Sequence, residues 1–531
     1  MSTIRKELVW AAIQKAYVLT DYNIHDDIDK RHKFRKRAIL ADKSLTKNEK
    51  LEAIKKLNKD YDSSKIRYNE GKRRFCEVCK ENCLAKSYCE YCIRNYLKSK
   101  FSNWTSGNND VNDLIQKCQI NSTAPNKIIE WIPYNNLRNI EYLTKGGFSE
   151  IYTADWIGGR YKRWNPEKQQ LKISKTTRKV ILKKLENVEG ANRSWFDEAK
   201  SHLTISNKWT VIVQCYGLTQ DPSDGKYVLV MRKLDTNLRE FLRCNHNQLT
   251  WKERIKIIAD IINALYSIQY ENAIHRDLHS GNILYSKHNN FWLISDLGLC
   301  GTPDKPLGSV YGNLPYIAPE VIVGKEYTFA SDIYSIAMIM WEISSGRPPF
   351  TNCEHNYSLA MDIVNGMRPK IISGTPLKYK RLMEQCWDAD PEKRPSIRTI
   401  GNMIKEINRL CYRNMPNDVS NNIIKKLLKI FRVFKKTKKN NNLNKSSSSE
   451  IISYYVNSTS RIYQFENLPE PRNATEEEQE TYHSKYSFNI PENNNDEIYN
   501  NPNFHPEEQE EFEIPDDDEI YNNQEFEIPD N

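Results

Sequence analysis

The chain has 531 residues, 28% of them charged, and a formal net charge of +9. That length exceeds what one hydrophobic core fills, so two or more structured units are expected. No run of about eighteen apolar residues occurs, and the opening Met1-Ser2-Thr3-Ile4-Arg5-Lys6-Glu7 lacks a long apolar stretch, which argues for a soluble cytoplasmic protein. Of the twelve cysteines, five fall between positions 76 and 92 and seven are scattered singly. This distribution suits a reduced compartment with one local metal site better than a disulfide framework.

Residues 1–70 read as helical. Thr46-x-x-Glu49 has capping-box spacing, and after it Leu51, Ile54 and Leu57 recur every third residue with Lys55, Lys56 and Lys59 on the other side. The basic cluster Lys30, Arg31, Lys33, Arg35, Lys36 and Arg37 reads as a solvated helical face, and nucleic acid is not expected as a partner.

Residues 71–105 form a Cys-rich module. Cys76 and Cys79 make one CxxC turn, Cys89 and Cys92 another, and two such turns can bring four thiolates onto one tetrahedral Zn2+. Cys83 is left over. The spacing resembles short zinc-ribbon modules. A RING-type ubiquitin ligase needs about twice as many ligands, usually with histidine among them, and no His lies between His32 and His202. Tyr88, Tyr91, Tyr96, Phe101 and Trp104 are expected to pack the module. The polar, Gly- and Asn-containing composition that follows reads as a linker, placed at 106–133.

From about 134 to 411 several short stretches carry chemistry. The run Lys145-Gly146-Gly147-Phe148-Ser149-Glu150-Ile151 offers a glycine-containing turn, and Val180-Ile181-Leu182-Lys183 reads as a strand ending on a lysine. Glu198 follows in a helical segment, Tyr227 to Met231 reads as a buried strand, and Leu234 lies in the connector after it. His275-Arg276-Asp277-Leu278-His279-Ser280-Gly281-Asn282 places an aspartate and an asparagine five positions apart on one loop. Such a pair suits a proton acceptor beside a metal ligand. Asp296-Leu297-Gly298, Ala318-Pro319-Glu320, Ser331-Asp332-Ile333 and Asp390-Pro391-Glu392-Lys393-Arg394-Pro395 come next, in that order.

Together these stretches resemble the motif series of eukaryotic protein kinases, closest to the tyrosine-kinase-like group. The resemblance implies an α+β bilobal fold: a small antiparallel-sheet lobe with one helix, and a mainly helical lobe. It implies ATP held by Lys145, Gly146, Gly147, Phe148, Ser149, Ile151, Lys183, Glu198, Met231 and Leu234. Lys183 would neutralise the α- and β-phosphates, with Glu198 as its buried partner and Lys184 on the opposite face of the strand. Asp277 would be the general base, and Asn282 and Asp296 would ligate Mg2+ (or Mn2+). Asp332 would hold the backbone of the catalytic loop, and Arg394 would pair with Glu320. Thr302, Ser309 and Tyr311 stand as phosphoacceptors in the activation segment, and Arg276 could pair with a phosphate placed there.

Five positions depart from the pattern. Thr144 and Ser149 replace two glycines, Leu297 replaces Phe, His279 stands where serine/threonine kinases carry Lys, and Asn313 stands where many carry Thr. The implied activity is ATP-dependent phosphorylation of serine and threonine in protein substrates during intracellular signalling. A weakly active or inactive scaffold and a tyrosine- or dual-specificity kinase are the alternatives.

Beyond the kinase-like region, Ile423, Ile424, Leu427, Leu428, Phe431 and Phe434 alternate with lysines and Arg432, which predicts a basic amphipathic helix at 417–439. Residues 421–439 could meet an anionic membrane surface. From 440 to 531 the chain turns Asn- and Ser-rich, then acidic, and repeats Asp-Glu-Ile-Tyr-Asn-Asn. Its apolar content is too low for a core, so disorder is expected.

Overall fold

A computed structural model describes residues 4–145, 149–186, 194–303, 309–413 and 460–485, the side chains of 410–413 aside. The N-terminal region is a three-helix unit of α1 (Lys6–Val18), α2 (Ile28–Ala41) and α3 (Lys47–Tyr68). Val9, Ile13, Ala16, Ile39, Ala53 and Leu57 fill its centre. Thr46 and Glu49 form the capping box of α3, and Glu49 also receives the Arg5 guanidinium at 2.8 Å. The buried face of α3 runs through Glu49, Ala53, Leu57 and Tyr61, every fourth residue, so Leu51 is exposed rather than part of the apolar stripe. A stripe repeating every third residue drifts around a helix of 3.6 residues per turn, and the repeat of four wins here. The basic residues of α2 stay at the surface.

The Cys-rich module pairs β1 (Arg74–Phe75) with β2 (Asn82–Cys83) and adds α4 (Glu90–Lys98). After it comes α5 (Asn109–Ile120). The expected linker at 106–133 is therefore structured. Val111, Leu114 and Ile115 of α5 are buried in one cluster with Leu185, Ala199 and Leu203. Asn108 caps the helix by accepting from the Asp110 and Val111 N–H groups, so the polar residues that suggested a linker are the start signal of a helix.

The smaller lobe contains β3 (Glu130–Trp131), β4 (Leu137–Lys145), β5 (Glu150–Trp156), β6 (Tyr161–Asn165), β7 (Gln170–Ile173), β8 (Arg178–Lys184), α6 (Trp195–Ile205), β9 (Cys215–Gln220) and β10 (Tyr227–Arg232). Six strands form one sheet in the order β3-β9-β10-β8-β5-β4, antiparallel except for β3 beside β9. The stretch around 158–178, a polar, Lys-rich insertion between β5 and β8, folds into the separate hairpin β6–β7. Trp164 and Leu171 of that hairpin join Cys76, Cys89, Cys92 and Ile93 in one core, which fastens the Cys-rich module to this lobe.

The larger lobe begins with β11 (Thr236–Asn237), α7 (Leu238–Asn245) and α8 (Trp251–Tyr270), then the hairpin β12 (Ile283–Ser286) and β13 (Phe291–Ile294). It continues through β14 (Val310–Gly312), α9 (Pro319–Ile322), α10 (Phe329–Ser345), α11 (Tyr357–Val364), α12 (Leu377–Cys386) and α13 (Ile397–Arg413). The central helix α10 is buried along nearly its whole length: Ile333, Ile336, Met338, Ile339, Met340 and Ile343 pack into the core, and the buried Glu342 finds partners inside, accepting from Ser280 and Tyr316.

Within the tail, residues 460–485 are structured, contrary to the expectation of disorder there. They form β15 (Arg461–Tyr463), paired with β14, and α14 (Glu476–Lys485). Tyr463 and Tyr482 enter the core of the larger lobe, with Phe465, Leu468 and Ala474 packed against it. A segment too poor in apolar residues to build its own core can still fold against one that exists. The expected helix at 417–439 and the rest of the tail lie outside the described residues.

Candidate active site

Between the lobes, β8 presents Lys183. The neighbouring residue Lys184 points to the other face, where it meets Asp221 at 2.9 Å and Asp224 at 3.0 Å. Lys183 Nζ lies 2.7 Å from Glu198 Oε1 on α6 and 2.6 Å from Asp296 Oδ1. Burial disfavours the ammonium, but the carboxylates of Asp296 and Glu198 more than offset it, and Lys183 stays firmly charged. Burial likewise works against the Asp296 carboxylate, and Lys183 overrides it, holding that group well below the usual carboxylate range.

Asp296 adopts a left-handed backbone, φ 54°, and its Oδ1 also accepts the Gly298 N–H at 3.1 Å. A Cβ at Gly298 would stand 3.0 Å from Asp296 Oδ1 and 3.2 Å from Glu198 Oε1, so a larger residue there would crowd both carboxylates. Leu297 is fully buried in the larger core.

The loop from Ile274 to Asn282 is held from below. The buried Asp332 carboxylate at the start of α10 accepts the His275 N–H at 2.7 Å and the Arg276 N–H at 3.0 Å. Arg276 has φ 69°, and its guanidinium donates to the carbonyls of Leu299 and Thr302 at the start of the segment leading to β14. Thr302 and Ser309 are half-buried and Tyr311 is buried. Farther away, Arg394 and Glu320 form a buried bidentate pair at 2.7 Å on both arms.

Asn282 Nδ2 donates to the Asp277 carbonyl at 2.9 Å, which leaves its amide oxygen as the atom able to ligate a cation. With the Asp296 carboxylate nearby, the donor set is oxygen only and suits a hard divalent ion such as magnesium. Of the residues expected at the nucleotide, Met231 and Leu234 share an apolar cluster with Ile181 and Leu284. Leu284 was not singled out from the sequence, although its place two residues after Asn282 on β12 puts it there. Ser149 is buried, Ile151 half-buried and Lys145 exposed, while Gly146, Gly147 and Phe148 lie outside the described residues.

The Asp277 carboxylate has a partner that the sequence did not suggest. Ser460 Oγ, at the start of the structured tail segment, lies 2.7 Å from Oδ1 and 3.0 Å from Oδ2. His279 Nε2 is 3.4 Å from the same hydroxyl. Burial pushes Asp277 up to about 7, against the Ser460 hydrogen bond, which lowers it. Burial, with Arg239 nearby, brings His279 down to about 3, so the imidazole is neutral. Its Nδ1 accepts the Gly281 N–H at 3.1 Å, which puts the ring proton on Nε2, facing Ser460.

In the Cys-rich module, Cys76, Cys79, Cys89 and Cys92 converge so that all four sulfurs lie within 4.8 Å of one another. Cys76 Sγ is 3.7 Å from Cys92 Sγ, and Cys79 Sγ is 3.5 Å from Cys89 Sγ. Four sulfurs at about 2.3 Å from one tetrahedral zinc would be about 3.8 Å apart. Cys83 is not one of the four; its thiol, beside Cys89, donates to the Arg74 carbonyl at 3.4 Å.

The family model described as protein tyrosine and serine/threonine kinase matches residues 137–404. The chain belongs to that family. A probable serine/threonine-protein kinase of Dictyostelium discoideum is 26% identical over 287 residues, 52% of this chain and 20% of that protein. A human dual serine/threonine and tyrosine protein kinase is 32% identical over 197 residues, 36% of this chain and 21% of its own length. A second D. discoideum protein, the probable serine/threonine-protein kinase roco7, is 30% identical over 288 residues, 51% of this chain and 10% of its own length. The chain thus spans about a fifth or less of these curated relatives. Kinases of this family use ATP and a divalent cation to phosphorylate proteins. Among the described residues, no helix is long and apolar enough to cross a membrane.

Proposed function

We propose that this chain is an active protein kinase that transfers the γ-phosphoryl group of ATP to serine and threonine hydroxyls. The observation that carries the reading is the closed chain of charges from Glu198 through Lys183 to Asp296, at 2.7 and 2.6 Å. Keeping this lysine buried costs desolvation, and the arrangement is the one that a phosphate-binding role requires.

In this reading Lys183 binds the α- and β-phosphates and Glu198 keeps it in place. Asn282 and Asp296 hold magnesium, which when bound neutralises phosphate charge. Asp277 orients the attacking hydroxyl and takes its proton. The run Leu314 to Glu320 and the catalytic loop favour the tyrosine-kinase-like group. Dual specificity is the second reading, favoured by His279 in place of the lysine and by the name of the human relative. Matched peptides carrying one Ser, Thr or Tyr distinguish the two. Labelling of the Ser and Thr peptides alone is expected, and comparable labelling of the Tyr peptide would establish the second.

We assign Cys76, Cys79, Cys89 and Cys92 to a structural zinc ion, a reading their sulfur spacing supports. Metal analysis of freshly purified reduced protein should find one zinc per chain. Cys89→Ser should lower that content and loosen the packing of Trp164, read as a change in tryptophan fluorescence. The basic segment 421–439 is read as a contact for anionic lipid. Its deletion should abolish any salt-sensitive vesicle binding.

A further inference from the structure

The tail segment does more than cover the larger lobe. Its strand β15 runs antiparallel to β14, with Val310 opposite Tyr463, Tyr311 opposite Ile462 and Gly312 opposite Arg461. Main-chain pairing of this kind is how an extended peptide is held on an exposed strand, and here it fixes register. One residue before the paired strand, that register sets Ser460 on Asp277. Gly312, on the strand that pairs with β15, has φ 140°, and a Cβ there would crowd Ile317 at 3.2 Å, so glycine suits this position beside Asp277.

Anchors farther along the segment hold this register. Tyr463 is buried and stacks on Phe465 at 5.4 Å between centroids. The Arg472 N–H reaches the Val364 carbonyl at 3.1 Å. Asn473 Oδ1 accepts the Ala389 N–H at 2.8 Å, and Gln479 Nε2 donates to the Gly366 carbonyl at 2.7 Å. These contacts settle the position of the segment independently of Ser460.

The chemistry at Ser460 is that of an acceptor awaiting transfer. A hydroxyl has one proton, and here it faces both oxygens of a carboxylate, while the neutral His279 Nε2–H stands on the hydroxyl oxygen. We propose that Ser460 is a self-phosphorylation site, modified in cis by the active site it occupies.

The step rests on the kinase reading and uses ATP as co-reactant. Ser460 Oγ forms a bond to the γ-phosphorus, the bond from that phosphorus to the β,γ-bridging oxygen breaks, ADP leaves, and the Ser460 proton passes to Asp277. Because the acceptor is already seated, the reaction is unimolecular in the chain.

The test uses the full chain with magnesium and ATP, phosphosite mapping by mass spectrometry, and a serine peptide as an external acceptor. Phosphate on Ser460 is expected to accumulate at a first-order rate that stays within about twofold when the protein is diluted about a hundredfold, as an intramolecular acceptor requires. Ser460→Ala should lose that site and still label the peptide. An Asp277→Asn chain mixed with the intact one should gain no Ser460 phosphate. A rate proportional to protein concentration would overturn the cis assignment, and peptide labelling with Ser460 unmodified would overturn the site while leaving the kinase reading in place. Absence of transfer to either acceptor would overturn both.

Discussion

The two sides of the interlobe cleft are built differently. The nucleotide side is assembled wholly within the family-matched residues, from Lys183, Glu198 and Asp296, each charge paired with another. The hydroxyl side, Asp277 and His279, is completed by Ser460, which lies beyond the match. The difference follows from what each side handles. Phosphates are anionic, so the cation that meets them must be buried and prepaired, or it would be costly to keep dry. A hydroxyl is neutral, and a passing segment of chain can supply it through one hydrogen bond and a strand register.

Breaking each side separately should give distinct signatures. Lys183→Met removes the phosphate-facing charge and should lower transfer to an external peptide by about 10²–10³-fold, in line with loss of one preorganised electrostatic contact. Nucleotide titration with a fluorescent ATP analogue would show weaker binding as well. Asp332→Asn acts on the hydroxyl side alone. It replaces one of two acceptors for the His275 and Arg276 N–H groups with a donor, costing about 1–3 kcal/mol in urea unfolding. Transfer should fall while ATP-analogue binding is retained. The smallest effect sharpens the comparison further. Truncation before Ser460 uncovers Asp277 and should lower KM for an external peptide up to about tenfold with kcat nearly unchanged, as expected when a competing internal segment is removed.

What could be read from the chain depended on how far apart the cooperating residues lie. Asp277 and Asn282 share one loop and the four clustered cysteines fall within two short turns, so spacing was enough to expect each set together, while Lys183 was singled out through the resemblance to kinases. The family series also brought Glu198 to Lys183 and Arg394 to Glu320 across long gaps. Helix α5 was hidden because its capping residues, around Asn108, have the composition of a linker, while its apolar face is only Val111, Leu114 and Ile115. Trp164 and Leu171 sat in an insertion rich in lysine and arginine, and their role in fastening the Cys-rich module depends on a hairpin that brings them together. Ser460 left no local signal at all. Its place is set by strand pairing to residues 310–312 and by anchors such as Tyr463 and Gln479, whose partners belong to the larger lobe.

Both sides of the cleft meet at Asp277, so the most direct measurement compares phosphoryl transfer from ATP to a serine peptide by the intact chain and by Asp277→Asn, with matched circular dichroism. Loss of the proton acceptor should slow transfer by about 10²–10⁴-fold. Equal rates in the two proteins would contradict the assignment of this cleft as a phosphoryl-transfer site.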